Sequence, residues 1–471
     1  MACAVIGSGI TGLALALFLA RQGHAVTVFE AQPHVAPLLS GFSRQGLHFD
    51  IGFHVGGGLH PTGLLSRWLK ALGVFDLLHG IPEDHCDTFC IGNKTYIFPS
   101  GRSRLAAFVA RHFPEAASIL SAFIDASMAE GSDSPYLNPH LRKPPQGLSF
   151  SGLSLTEQFA RFPLPPDLQA ILATRSLLYG VSPSNASWRD YAMLAGSYFL
   201  SAGSWDGGGQ ALVDACCTRL REAKVSVRTN TPVCGLDADA SGVHGIVLAD
   251  GTRYPCSTCF YTGHPKNLAR FLPRVLVRPA YFTKIRELPE TSSALLLFGE
   301  LFEPVFQGNA CYLLPNASID FKPLEEEEPT LCLYRSPKPN QRAVLGICLL
   351  DESTRSGQSY AQWKAGLVAK AKAHIEERLP AIRGKWRIVD AATPDTMRRW
   401  IHGATGSLFG VSHDHTSVPI LPATRIPRFF LAGSNILLPG ILGCIVSAAI
   451  AVGIAFGHDA VLQEFRQCAD A

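Results

Sequence analysis

The chain has 471 residues, 47% of them hydrophobic, which is enough to bury a large core and excludes a disordered or low-complexity protein. At ~100–200 residues per domain, this length predicts two to three domains. The net charge is +3, and no Lys/Arg cluster alternates with aromatics, so nucleic-acid binding has no support.

Thirteen scattered cysteines, an odd number with no secretory leader before them, read as reduced thiols of a cytoplasmic protein. The one CxxC, Cys256 to Cys259, lacks a second pair for zinc and reads as core thiols. No metal site is expected.

In chain order, Ala2 to Ile6 is a short apolar run that reads as a buried parallel strand. The hexapeptide Gly7-Ser8-Gly9-Ile10-Thr11-Gly12 follows, then a helix over Leu13 to Gln22 closed by Gly23, and a second strand, Ala25 to Phe29. Glu30 ends that strand, 18 residues past Gly12. This is a strand, glycine turn, helix, strand and acid in register, the pattern of a dinucleotide site. Gly7 permits the tight turn, Gly9 admits a pyrophosphate to the main chain, and Gly12 lets the helix pack closely on the strand. Glu30 is placed to accept from ribose hydroxyls, which favours an adenosine without a 2′-phosphate. At this point the unit suits NAD or FAD.

Gly46 to Gly58 (GLHFDIGFHVGGG) shows little helical or strand logic and reads as backbone laid against a ligand. Glu30 followed by GxxFDxGxHxxGG resembles the flavin-binding start of the phytoene desaturase, carotenoid isomerase and retinol saturase group, within the amine oxidase-like flavoprotein superfamily. The resemblance implies FAD and adds His54 to the cofactor residues; Cys444 sits in no motif known to tether flavin, so the FAD is expected to be noncovalent. That group carries Gly-Gly six and seven residues after the acid; this chain has Ala36 and Pro37.

Pro61 to Leu78 reads as an amphipathic helix with a turn and a short helix. The dinucleotide pattern then disappears from about 83 to Leu200. Cys86 to Phe98 reads as a hairpin turning at Gly92-Asn93, followed by helices at Ser103 to Arg111 and Ala116 to Met128 and a surface loop or lid over Gly131 to Ser149. Asp167 to Tyr179 and Tyr191 to Trp205 are rich in small and aromatic residues. They suit core packing or the wall of an apolar tunnel.

A glycine-rich return at Trp205 to Gln210 leads into two strands, Lys224 to Asp237, where Val233 is the position whose main chain meets adenine in the family. Thr262-Gly263-His264-Pro265 resembles the family's return to the parallel sheet. From Leu276 to about Arg399 come strands at Ser292 to Leu301, Thr330 to Tyr334 and Ala343 to Leu350 and a helix over Ala361 to Leu379. These read as a sheet with a helix over it; the acidic run Glu325 to Glu328 reads as a solvated loop.

Phe429 to Asn435 and Pro439 to Gly443 resemble the C-terminal pattern of the same group. The resemblance assigns Gly433, Ser434, Gly440, Ile441, Leu442 and Gly443 to the flavin, with Ser434 and Asn435 as partners for ribityl hydroxyls. Ile436 to Gly457 has 22 residues without a charge, long enough to span a bilayer, but a buried helix beginning beneath the flavin fits better.

The expected fold is α/β: a Rossmann-type FAD-binding domain, discontinuous in sequence (1–80, 205–275, 401–471), with an α+β substrate domain inserted (81–204, 276–400). The expected activity is FAD-dependent oxidoreduction at C=C bonds of an apolar conjugated isoprenoid or polyene, by saturation, desaturation or isomerisation. The alternatives are oxidation of a C–N bond and a flavin-binding protein without turnover. One dinucleotide unit leaves the electron partner open among a quinone, a redox protein, oxygen and transient nicotinamide, and the substrate class suggests peripheral membrane contact. His402 and His413 are the candidate catalytic groups, as proton donors, although structural histidines are the simpler reading; His413 and His415 make two ligands and no metal site.

Overall fold

The computed structural model describes residues 1–82, 84–142, 152–338, 342–351, 357–401, 405–417 and 419–468. Its organising layer is a five-stranded parallel sheet of β1 (Ala2–Ile6), β2 (Ala25–Phe29), β3 (Ser226–Arg228), β4 (Thr258–Tyr261) and β5 (Phe429–Leu431), in the order β5-β4-β1-β2-β3. Its strands come from both ends and the middle of the chain. Helix α1 (Ile10–Arg21) follows β1 and packs against α2 (Gly440–Phe456). Leu13 to Leu19 are all buried, so α1 is apolar on every side. The same reasoning accounts for α2, a 17-residue buried helix. No helix among the described residues is long and apolar enough to cross a membrane.

A seven-stranded sheet forms the second body. Its order is Trp386–Ala392, Ser293–Leu301, Ala343–Leu350, Leu331–Arg335, Ala310–Leu314, Cys86–Ile91 and Lys94–Pro99. Ser293–Leu301 is buried along its whole length because both faces are covered. Leu295 and Leu297 pack in a core with Trp363, Leu367, Ala371 and Ile375 of the helix Tyr360–Arg378. Leu296 and Phe298 point the other way, into a core shared with the helices Ala117–Gly131 and Trp188–Leu200. Cys256 and Cys259 are buried, and the cysteines are free thiols.

Two local expectations change and one is trimmed. Gly46 to Gly58 contains two short strands: Leu47–Phe49 pairs with Phe42–Arg44, and Gly56–Gly57 pairs with Ala202–Gly203. The first is a local hairpin of three-residue strands, too short for a period to show, and the second is a long-range pairing that involves glycines. The expected helix, turn and short helix over Pro61 to Leu78 are present as a helix over Leu64–Ala71 and a single 3-10 turn at Phe75–Leu77, the first helix starting three residues later than expected. Within the expected surface loop after Gly131, Tyr136 and Leu137 are buried, and the Tyr136 carbonyl accepts from Trp68 Nε1 at 3.0 Å. Residues 143–149 of that loop lie outside the described residues.

Candidate cofactor and substrate site

The C-terminal ends of the parallel strands open on one cavity of roughly 2390 Å³. A small-ligand pocket is ~300–1,000 Å³, so this one has room for a dinucleotide and a second molecule. Gly7, Gly9, Ile10, Thr11, Glu30, His54, Val233, Gly433, Ser434, Gly440, Ile441, Leu442 and Gly443 all line it. Ser8 and Gly12 lie behind that wall. The Ser8 N–H and hydroxyl both donate to Glu30 Oε2, at 2.9 and 2.7 Å, and the Gln32 N–H donates to Oε1 at 2.9 Å. These bonds fix the carboxylate at the cavity edge. A Cβ on Gly12 would meet the Gly7 carbonyl oxygen at 1.9 Å, which is the close packing the motif demands.

A Cβ on Gly9 or on Gly440 would meet no protein atom within 4 Å. The backbone at both positions therefore faces open space, at the N-termini of α1 and α2. Two helix N-termini aimed into one cavity favour a negatively charged ligand such as a diphosphate. These residues fit a flavin dinucleotide.

Where the related group has Gly-Gly, Ala36 takes a left-handed conformation (φ 46°, ψ 56°) and its N–H donates to Ser8 Oγ at 2.9 Å. The chain thus keeps a glycine-like backbone at that position with an alanine.

Other expected residues are placed differently. His413 Nε2 donates to the Ser434 carbonyl at 2.7 Å and does not line the cavity; it braces the loop that carries Ser434. Burial lowers its pKa. The Asn435 side-chain oxygen accepts from the Val411 N–H at 2.9 Å, and Asn435 also lines the cavity. His402 lies outside the described residues.

Beyond the dinucleotide end the cavity runs between Leu177, Leu178, Met193, Leu194, Leu296 and Phe298. A polar rim includes Arg44 and Lys364, both paired with Asp390. On the cavity wall His54 stacks on Tyr334 with ring centroids 4.7 Å apart, and burial holds the His54 pKa at about 4, so the ring is neutral at pH 7.

Tyr334 was not identified from sequence. Its hydroxyl is 3.2 Å from that of Tyr312, which lies 3.5 Å from Arg175 Nη1. Arg175 in turn pairs with Asp87 at 3.0 Å, with His85 3.2 Å from the other Asp87 oxygen, all buried. Burial drives the Tyr334 phenol pKa well above its usual value, keeping the O–H protonated. Nothing local announces this set, because its members come from three strands and a helical turn distant in sequence. Nearby Asp50 is pushed up to about 6 by burial, opposed by the Gly209 N–H that bonds it at 3.1 Å.

The family model for flavin containing amine oxidoreductases matches residues 10–453. The chain belongs to that family. It is an FAD-dependent oxidoreductase. Among curated relatives, all-trans-retinol 13,14-reductase from Danio rerio is 22% identical over 98% of this chain and 87% of the relative. A zeta-carotene desaturase from Zea mays is 34% identical over 21% of this chain and 18% of its own. The fold is similar to that of an oxidoreductase from Methanosarcina mazei, with TM-score 0.69 and 14% identity, covering 96% of this chain and 100% of that one.

Proposed function

We propose that this flavoenzyme saturates, desaturates or isomerises a C=C bond in an apolar conjugated isoprenoid or polyene. The observation that carries the reading is the continuous cavity, which passes from the dinucleotide end to walls of Leu177, Leu178, Met193, Leu194, Leu296 and Phe298. The near full-length similarity to a retinol reductase supports it. Bound FAD supplies hydride chemistry; the chain's own task is to hold the C=C bond in place, exclude water and manage a proton. Apolar walls serve the first two. For the third, Tyr334 lines the cavity with its O–H held protonated by burial, and the Tyr312 hydroxyl 3.2 Å away connects it to Arg175. The electron partner is a quinone, a redox protein, oxygen or a transient nicotinamide, and peripheral membrane contact suits an apolar substrate.

The test is anaerobic mixing. The oxidised protein is exposed to amines and, separately, to retinoid-type and carotenoid-type polyenes, and the chemically reduced protein to the same polyenes, with the flavin absorbance followed; bleaching by polyenes is expected for a desaturase. Reoxidation by polyenes is expected for a saturase; flavin bleached by amines with polyenes inert would sink the proposal. Tyr334→Phe should lower the single-turnover rate by ~10²- to 10⁴-fold with an unchanged flavin spectrum, the range for removing a general acid.

A further inference from the structure

The 36 residues from Gly251 to Arg286 contain no Asp or Glu and seven Lys or Arg. Two of the seven are neutralised: Arg253 by Asp237 at 2.8 Å and Lys266 by Glu290 at 2.6 Å. Arg270, Arg274, Arg278, Lys284 and Arg286 are exposed and make no ion pair among the described residues. Arg274 and Arg278 bracket the tripeptide Val275-Leu276-Val277, and Val275 is 93% exposed, the largest value among the exposed large hydrophobic residues. The base of this projection is firm, since Leu268, Phe271, Leu272 and Ile285 are buried in the core beneath it.

Arg270 and Arg286, together with Ala269, Phe271 and Phe282, also line the cavity. Because both arginines are exposed, this stretch forms part of the cavity's rim. An apolar tip flanked by guanidinium groups suits a bilayer interface: the side chain enters the headgroup region while the arginines meet anionic headgroups. An acidic protein partner would match the charge but offers no reason for a bare valine at the tip.

We propose that residues 266–286 seat the protein on an anionic lipid surface, with Val275 inserted and the cavity rim turned toward the bilayer. A substrate dissolved in the membrane then reaches the cavity without crossing water; that consequence rests on the apolar-substrate reading, whereas the docking itself rests only on charge and exposure.

The experiment is flotation of the full-length, flavin-loaded protein with vesicles of phosphatidylcholine alone and with about one-third phosphatidylserine. The expected result is roughly tenfold or greater preference for the anionic vesicles, lost near ~0.5 M salt. The double variant R274E/R278E, at exposed and unpaired positions, should lose that preference while keeping its melting temperature and flavin spectrum. Tryptophan emission of Val275→Trp should shift to the blue with anionic vesicles only. Absence of flotation at low salt, equal flotation of the charge-reversed variant, or an unshifted Val275→Trp emission on floated protein overturns the proposal; an acidic protein as the true partner gives the first of these. No substrate is present in the assay, so its failure leaves the proposed reaction standing, and failure of the polyene test leaves the docking surface standing.

Discussion

Gly9 and Gly12 stand three residues apart in one motif, and their surroundings separate their roles. A methyl at Gly9 meets only open space, and the backbone there (φ −56°) accepts any L-residue. At Gly12 a methyl collides with the Gly7 carbonyl. Gly9→Ala is therefore expected to fold with the melting temperature of the flavin-free parent yet purify with little or no flavin. Gly12→Ala should lose ~3 kcal/mol or more of stability by denaturant unfolding, the scale of an overpacked core. Equal behaviour of the two variants would show that Gly9 does not face the cofactor. Their presence was legible from spacing alone. The motif also assigned them these different roles, and the structure adds which atoms lie opposite each. Ala36 was legible only as a departure from a related pattern; the structure shows it holding a left-handed backbone that usually falls to glycine.

At the scale of elements, helices and strands with an internal pattern read correctly. The hairpin Cys86–Ile91 and Lys94–Pro99 turns at Gly92-Asn93, and α2 is the buried helix that an uncharged stretch between other elements suggests. Elements held by a remote partner did not read, as with Gly56–Gly57 against Ala202–Gly203 or the buried Tyr136 segment. The strand Cys86–Ile91 is also tied to the turn Thr174–Tyr179 by the buried Asp87–Arg175 pair. Removing one member strands the other charge without water, so Asp87→Ala should cost ~3–5 kcal/mol in urea or guanidinium unfolding. A cost below about 1 kcal/mol would mean that Arg175 finds solvent when released.

At the scale of the molecule, one cavity takes its walls from the parallel sheet, the seven-stranded sheet and the helices between them, and FAD is proposed to bind there. A ligand that binds only the folded state stabilises it by mass action. Stripping the flavin should therefore lower the melting temperature, and re-addition at ~100 times its dissociation constant should restore about 2.7 kcal/mol. A melting temperature indifferent to flavin would show that the cavity is set without it.

The parallel sheet draws β1 and β2 from the first 30 residues, β3 and β4 from the middle and β5 from near the end. That discontinuity was legible because each return to the sheet carries its own glycine-marked strand. The polar set Asp87, Arg175, Tyr312, Tyr334 and His54 carries no such mark.

Sequence by itself determined the cofactor unit, since the strand, glycine turn, helix and Glu30 lie within 30 residues and each is imposed by chemistry acting over a few ångströms of connected chain. Only the tertiary structure decided which side chains line the cavity: that Tyr334 rests on His54, that His413 braces a loop, and that Arg270 and Arg286 edge the cavity. The reason is that side chains from distant segments converge according to strand register and helix packing, and neither is encoded in the spacing of residues along one segment.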